Sequence, residues 1–373
     1  MCLALNRNEL KRRIVECAKI RRWYQTPDYN GLRPRGHFDD GKTNTISYGM
    51  GKWNNYIQPL LDKVRVGKDF IFCDIGCSAG EYLVAAKNYG FKRVIGVEAA
   101  RGGFAQLLLT KNLLCNDIEA YNNSLGKPEV NIAEGAGEPL DLYTFPMADV
   151  TLMSNVHYHF TEANLNKYLN LLADKTLYLI IITDEKAQGV IDTSSQFVLS
   201  KATNGGWDLV DMILTGTPDY PDMRHLTAIL LKSKRLYKLR VDECLKKQID
   251  YCDYNKTFYT KVFPEFIECV LSGDINKDNC QFTIVFDWSV SPNHGSTPWA
   301  PQVAMERTLS YINQIKTIKE HGQEMPILDK QYFESDLWDG NHRIAVLKHF
   351  NIPWVFAEKW EEHKRFTKEW GYL

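Results

Sequence analysis

No run of about 18 apolar residues occurs in this 373-residue chain, so nothing in it reads as a membrane-spanning helix. Charge of one sign is also missing. The chain has 45 Lys and Arg against 46 Asp and Glu, a formal net charge of -1, and so no bulk field drawing it toward nucleic acid or acidic lipid. There is no Cys-x-x-Cys pair: the nine cysteines are scattered and only Cys73 and Cys77 lie close, which argues against a cysteine zinc site. Unpaired thiols in a chain this large point to a reducing compartment. The first thirty residues carry charges throughout and no apolar core segment, which argues against a signal peptide. The expectation is a cytoplasmic protein. Internal repeats and low-complexity tracts are absent too.

What is present is a globular composition, 44% hydrophobic and 24% charged, over a length that suggests two or three domains. A basic cluster stands near the start: Lys11, Arg12, Arg13, Lys19, Arg21 and Arg22. Its plain reading is a solvated helix face.

Periodicity predicts a helix over 6–24, with Leu10, Ile14, Cys17 and Ile20 along one side. Residues 25–50 are rich in Gly, Pro, Asn and Asp and are expected to form a loop or lid, followed by a helix over about 50–64. From residue 70 strands and helices alternate. Strand candidates are Phe70–Asp74, Arg93–Glu98, Val150–Ser154 and Leu177–Thr183; helix candidates are Glu81–Tyr89, Phe104–Asn112 and 163–173. Trp207–Leu214 and Leu226–Leu231 then make a closing pair joined by a turn with two prolines. This pattern predicts an α/β fold, a mostly parallel Rossmann-like sheet with helices on both faces and one antiparallel strand at the end.

Beyond Lys232, residues 233–255 are charged and read as a connecting helix. A smaller α+β domain follows, with a strand at Phe282–Phe286, a loop at 291–301, a helix at 303–321 and a last helix from Asn341. The expected organisation is a helical extension and lid over 1–64, a nucleotide-type domain over 65–235, a linker helix over 236–256 and the smaller domain over 257–373.

The most informative stretch is Phe72-Cys73-Asp74-Ile75-Gly76-Cys77-Ser78-Ala79-Gly80-Glu81. A strand ends at an acid, and two glycines spaced by four lead straight into a helix. The first glycine turns the chain off the strand and the second lets backbone approach a ligand. The next strand ends at Glu98, where a carboxylate can accept both hydroxyls of a ribose. A dinucleotide site would want G-x-G-x-x-G and room for a pyrophosphate; here the pattern is D-x-G-x-x-x-G. A plain glycine turn is the bland alternative. The shorter acid-bearing loop resembles motif I of class I S-adenosylmethionine-dependent methyltransferases, which implies Asp74, Gly76, Ser78, Gly80 and Glu98 around that cofactor.

After the fourth strand come Ser154-Asn155-Val156-His157-Tyr158-His159-Phe160. Strand ends line the ligand crevice in such folds, so Asn155 is a further cofactor candidate, and His157, Tyr158 and His159 are catalytic candidates. A histidine there is suited to act as general base toward a hydroxyl, with one of the pair packing and the other facing substrate. Asp184 and Glu185 follow the fifth strand as substrate contacts or solvated acids.

The order Trp23…Gly31…Gly36…Lys52-Trp53…Pro59…Asp74…Glu98…Tyr158-His159 is similar to the methyltransferase subgroup that includes the tRNA wobble-uridine carboxymethyltransferases, over roughly residues 20–232. The resemblance implies that Lys52 and Tyr158 would contact the extra carboxylate of carboxy-S-adenosylmethionine. Phe160 departs from it, standing where that enzyme has an arginine, and ordinary S-adenosylmethionine is the cofactor expected here.

In the last third, Gly322-Gln323-Glu324-Met325-Pro326-Ile327 and Asp339-Gly340-Asn341-His342-Arg343 resemble the ParB/sulfiredoxin superfamily. A tight turn at Gly340, free N–H groups at a helix start, His342 and Arg343 together favour an anion. Residues 339–343 are thus candidates for phosphate, ATP or another nucleotide. The bland alternative is that His342 and Arg343 brace a structural turn. The sulfiredoxin nucleophile is replaced by Asn341, so sulfinic-acid reduction is not expected.

Three functions follow as expectations. The first is methyl transfer to a hydroxyl of a small molecule, sugar or glycan, with a nucleotide-binding second domain. The second is a tRNA- or nucleic-acid-modifying enzyme. The third is a non-catalytic sensor of cofactor or nucleotide.

Overall fold

The computed structural model describes residues 6–23, 25–29, 31–34, 48–64, 69–122, 147–186, 191–214, 225–251, 256–273, 301–323, 326–329 and 341–359. The chain divides into two compact units, Met1–Leu142 with Ala148–Lys234, and Tyr143–Met147 with Arg235–Leu373.

The first unit is built on a seven-stranded sheet: β1 (Ile71–Ile75), β2 (Arg93–Glu98), β3 (Glu119–Asn122), β4 (Ala148–Ser154), β5 (Thr176–Asp184), β6 (Trp207–Ile213) and β7 (Leu226–Ser233). The spatial order is β3-β2-β1-β4-β5-β7-β6. Pairings from β3 to β5 are parallel, and β7 runs antiparallel to both β5 and β6. The expected Rossmann-like sheet with one reversed strand is what the chain forms. Only β3 has no counterpart among the strands read from sequence. It is short, and no residue of its Glu-Ala-Tyr-Asn run is fully buried.

The crossover helices are α4 (Glu81–Tyr89), α5 (Arg101–Leu113), α6 (Glu162–Ala173) and α7 (Ser195–Asn204). The chain steps from β1 through β2 to β3 in one direction, and from β4 to β5 in the other. Right-handed crossovers therefore put α4 and α5 on one face and α6 on the opposite face. Thr161 and Ser194 cap α6 and α7 by accepting from Asn164 N–H and Phe197 N–H. The core holds Phe72, Val150, Leu152, Ile180, Ile182, Ala228 and Leu230, all buried. Burying each large side chain contributes roughly 1.5–3 kcal/mol.

Two helical pieces precede the sheet. The first, α1 (Arg7–Ile20), is capped by the Asn6 side chain on Glu9 N–H and packs Leu10 and Ile14 with Trp23, Tyr29, Ala79 and Leu109. It ends four residues short of the predicted boundary: Arg21 is extended, and Ile20 points outward at 58% exposure. The second runs through α2 (Tyr48–Lys52), a wide π turn (Trp53–Ile57) and α3 (Gln58–Val64). Trp53 lies edge-on to Phe72 and stacks on Tyr82. Among the described residues no helix is long and apolar enough to cross a membrane.

The second unit holds a three-stranded sheet in the order β8-β10-β9, from β8 (Leu236–Arg240), β9 (Ile327–Asp329) and β10 (Trp354–Lys359). Its helices are α8 (Val241–Tyr251), α9 (Phe263–Ser272, entered through a π turn at Phe258–Val262), α10 (Pro301–His321) and α11 (Asn341–His349). Their core includes Phe263, Phe266, Ile267, Ile315, Ile344, Val346 and Val355. Residues 236–240, predicted as part of a connecting helix, form a strand instead. Charge masked the pattern there: Leu236 is buried against the sheet, while Lys238 lays its ammonium over the Phe356 ring. The predicted strand Phe282–Phe286 lies outside the described residues.

Gly322 ends α10, and Gln323 then acts like a strand residue. Its side chain accepts from Phe356 N–H (2.8 Å) and donates to Phe356 C=O (2.9 Å). Its own carbonyl accepts from Met147 N–H (2.6 Å).

Candidate functional site

The order in which strands are added reverses between the parallel neighbours β1 and β4, and side-by-side strands whose connections leave in opposite directions open a crevice at their carboxyl ends. The β1–α4 loop fills one side of it. Gly76 (φ 72°), Ser78 (φ 48°) and Gly80 (φ 79°) all take left-handed backbone conformations within five residues. At Gly76 two requirements coincide: the positive φ, and a Cβ that would sit 2.4 Å from Val156 Cγ2. Gly76 and Cys77 donate their N–H groups to Val97 C=O (2.8 and 3.1 Å), folding the loop across the end of β2.

Ser78 is not glycine and bears the strain of its conformation, a cost of order 1 kcal/mol. Its N–H compensates by donating to Glu98 Oε2 at 2.7 Å. Glu98 Oε1 accepts from Ala100 N–H, also at 2.7 Å. The Ala99 N–H also acts on this carboxylate, and of its roughly four acceptor positions at least one is left after the backbone. A ligand hydroxyl matches that remainder.

Asp74 is 1% exposed and its Oδ2 has no partner among the described residues. Burial pushes its carboxyl well above the ordinary range, and Glu98 pushes it further. Burial also raises Glu98, opposed by the Ala100 N–H, the Arg21 charge and the Ser78 N–H. Two neighbouring buried carboxyls, one with an orphaned oxygen, make a place for a cationic ligand. Two more buried oxygens have no partner among the described residues: Ser78 Oγ in the loop and Ser154 Oγ at the end of β4. Asp74 pairs in register with Leu152, so Ser154, two residues on, lies on the same sheet face as Asp74.

Past β4 the chain passes through Asn155 (φ 56°) into a tight turn at His157–His159. With its amide nitrogen facing Ile182 C=O (3.2 Å), Asn155 accepts from Lys52 Nζ at 2.8 Å through its amide oxygen. Two residues picked from distant parts of the sequence are thus in contact, and Lys52 is fully buried. The two histidines differ. His157 is completely buried, and burial lowers it to about 4 despite a hydrogen bond with Thr193 backbone. His159 is partly exposed; burial, then the Arg21 charge, lower it. The side chain of Tyr158 lies outside the described residues. Phe160, at the arginine position of the resembling subgroup, stacks on Tyr168 at 5.1 Å.

No protein-family model matches this chain, and no curated protein matches it. Solved structures resemble it in part. The N-terminal domain of EvdMO1, crystallised with SAH bound, is 13% identical over 61% of this chain and 97% of its own, at a TM-score of 0.40. Magnesium protoporphyrin IX methyltransferase from Synechocystis PCC 6803, with bound SAH, is 13% identical over 52% of this chain and 90% of its own, at 0.37. The methyltransferase domain of bacterial CtHen1-C is 13% identical over 48% of this chain and 94% of its own, at 0.36. Likeness at this level carries no argument about this chain's chemistry.

Asp184 and Glu185 have local work. Asp184 faces His225 Nε2 (3.3 Å) and accepts from Lys186 N–H, while Glu185 accepts from Ser195 N–H (3.0 Å). In the second unit, Asp339 and Gly340 lie outside the described residues, as does the Asn341 side chain. His342 stacks on Tyr311 (4.1 Å between centroids) with Phe258, Tyr259 and Phe263 around it. Arg343 Nη1 donates to Pro326 C=O at 2.8 Å.

Sequence reasoning missed the strap that follows α1. Gln25 Oε1 accepts from Glu81 N–H (2.8 Å), the first N–H of α4, and Thr26 N–H donates to Glu81 Oε2. The Tyr29 hydroxyl meets Thr110 Oγ1 (2.8 Å), which donates to Ala79 C=O (2.6 Å). The strap is therefore tied to the loop carrying Ser78. It has no periodicity to announce it; Trp23 and Tyr29, large aromatics among loop residues, were its one signal.

Proposed function

We propose that the first unit binds S-adenosylmethionine in the β1/β4 crevice and transfers its methyl group to an acceptor. The observation that carries this reading is the pair of buried carboxyls: Asp74, whose Oδ2 has no partner among the described residues, and Glu98, held by backbone N–H groups at the end of the next strand. Asp74 suits the cationic methionine end, Glu98 the ribose hydroxyls, and the Gly76–Gly80 loop the close backbone approach, with Lys52, Ser154 and Asn155 lining the same crevice. When bound, the sulfonium supplies an activated methyl with a neutral thioether as leaving group.

The chain's part is then to hold an acceptor in line and to take up a proton. His159 is the group proposed as base, since it is the partly exposed histidine and stays neutral at neutral pH. His157, buried, positions the turn. An acceptor hydroxyl on a small molecule, sugar or glycan fits a protein with a balanced net charge better than a nucleic acid does. A second reading has one observation in its favour: a buried Lys52 beside Asn155 would suit a carboxylated form of the cofactor, as in the resembling subgroup. For the second unit, a phosphate or nucleotide site at residues 339–343 is offered on sequence alone.

Calorimetry with SAH tests the main reading. Saturable binding is expected, weakened about tenfold or more, or roughly 1.4 kcal/mol, in Asp74→Asn and in Glu98→Gln. A crevice that ignores SAH, or takes a nicotinamide dinucleotide instead, refutes it. Labelled cofactor and cell extract, with Asp74→Asn as control, then identify the acceptor by mass spectrometry.

A further inference from the structure

At the start of the strap, Arg21 and Arg22 are both exposed, and Arg21 is the one seated on α5. Arg21 is held by its backbone: its N–H donates to Cys17 C=O (3.1 Å), and Gln106 of α5 donates to its C=O (2.7 Å). Trp23, two residues on, is buried and donates to Ile14 C=O. The Arg21 stem lies over the first turn of α5, where residue 102 is glycine. A Cβ there would come within 2.3 Å of Arg21 Cβ and 3.3 Å of its Cγ and Cδ. The absent side chain makes room for the arginine. That end of α5 also has no side-chain cap at Ala100, leaving its dipole directed at the same place.

The guanidinium is within electrostatic reach of Glu98 at the tip of β2 and of His159 beyond β4. It joins neither. Among the described residues the Arg21 side chain makes no hydrogen bond or ion pair, whereas Arg12, Arg13 and Arg93 each grip a carboxylate. Glu98 meanwhile spends its oxygens on backbone N–H groups. An exposed guanidinium on a fixed backbone, seated on the same first turn of α5 that Glu98 packs against at Gly103, is placed to meet something from outside.

We propose that Arg21 is the specificity residue for the acceptor, and that the acceptor carries an anionic group, a phosphate ester or a carboxylate, gripped by its guanidinium. The planar fork of an arginine pairs two donors with two oxygens of such a group. The hydroxyl to be methylated then lies on the same molecule, toward His159. This inference rests on the methyl-transfer reading.

The test uses the full-length protein saturated with SAH and titrated with phenyl phosphate, benzoate and, as the neutral control, benzyl alcohol. At least one anion is expected to bind about tenfold or more tightly than the alcohol. Arg21→Gln, again saturated with SAH, should abolish that preference, and Arg21→Lys should restore part of it by keeping the charge without the fork. Which anion wins identifies the acceptor's group. The proposal is overturned if neither anion binds in preference to the alcohol, or if Arg21→Gln binds the anions as wild type does. If wild type fails to bind SAH, the methyl-transfer reading falls instead. The same titration on the SAH-free protein, wild type against Arg21→Gln, then decides whether Arg21 holds an anion at all.

Discussion

Asp74→Asn keeps the shape of a side chain that the crevice leaves partly unsatisfied, and removes its charge. A buried polar atom without a partner costs about 1–3 kcal/mol, more when charged. The asparagine still brings an amide to satisfy, so a net gain near the low end, about 1 kcal/mol, is expected for the ligand-free protein. In a unit of this size that raises the melting temperature by about 2–4 °C. The gain should depend on pH. Asp74 holds its proton more tightly in the folded protein than in the unfolded chain, where aspartate titrates near 3.9. Its contribution is therefore present in acid and lost as pH rises toward the folded value, so the variant's advantage is larger at pH 8 than at pH 5. With SAH the order reverses. Wild type gains about 2.7 kcal/mol at a ligand concentration 100 times its Kd, and the variant, weakened about tenfold, gains about 1.4 kcal/mol, so wild type leads by a few tenths of a kcal/mol. Differential scanning calorimetry at two pH values, with and without SAH, reads all four quantities. A variant less stable than wild type when ligand-free at both pH values would refute the account of Asp74 as a carboxyl waiting for a cation.

Gly76→Ala places a Cβ 2.4 Å from Val156 Cγ2 at a positive φ, and is expected to cost about 1–3 kcal/mol in denaturant melts and most of the SAH affinity. His157 stays neutral in the fold down to about pH 4, whereas in the unfolded chain it titrates near 6.5. Its stability contribution is thus present above pH about 6.5 and lost on acidification toward 4, up to about 3 kcal/mol, and His157→Gln should flatten that slope. His159→Gln should leave melting temperature and SAH binding nearly unchanged while methylation falls about a hundredfold, the lower end of what a general base contributes. Gln323→Ala strips both partners from Phe356 backbone in the second unit, an expected loss of about 2–4 kcal/mol seen by hydrogen exchange across β10.

Much of the site was legible because its chemistry is local. An acid at a strand end, glycines where the backbone turns left-handed, and a second acid one strand later all sit in short windows of sequence. The strands of the parallel sheet were legible as apolar runs for the same reason. What could not be read depends on tertiary contact. Lys52 meets Asn155 across a hundred residues of chain; resemblance pointed to the first and a strand end to the second, and only folding brings them together. The π turns at Trp53–Ile57 and Phe258–Val262 have no periodicity of their own. Leu236–Arg240 carries enough charge to look helical, and becomes a strand only because β10 offers a partner. His342 and Arg343 drew attention as donors to an anion; their contacts with the Tyr311 ring and the Pro326 carbonyl come only with folding.

The second unit takes five residues, Tyr143–Met147, from the middle of the first unit's sequence. Met147 supplies an N–H to Gln323 C=O, and the very next residue, Ala148, opens β4. The polypeptide therefore crosses between the units three times, and no single cut separates them cleanly. A fragment beginning at Arg235 leaves one backbone acceptor bare and lacks a segment of its own fold. Biosynthesis meets the same constraint: the ribosome delivers those five residues long before the rest of the unit they belong to exists.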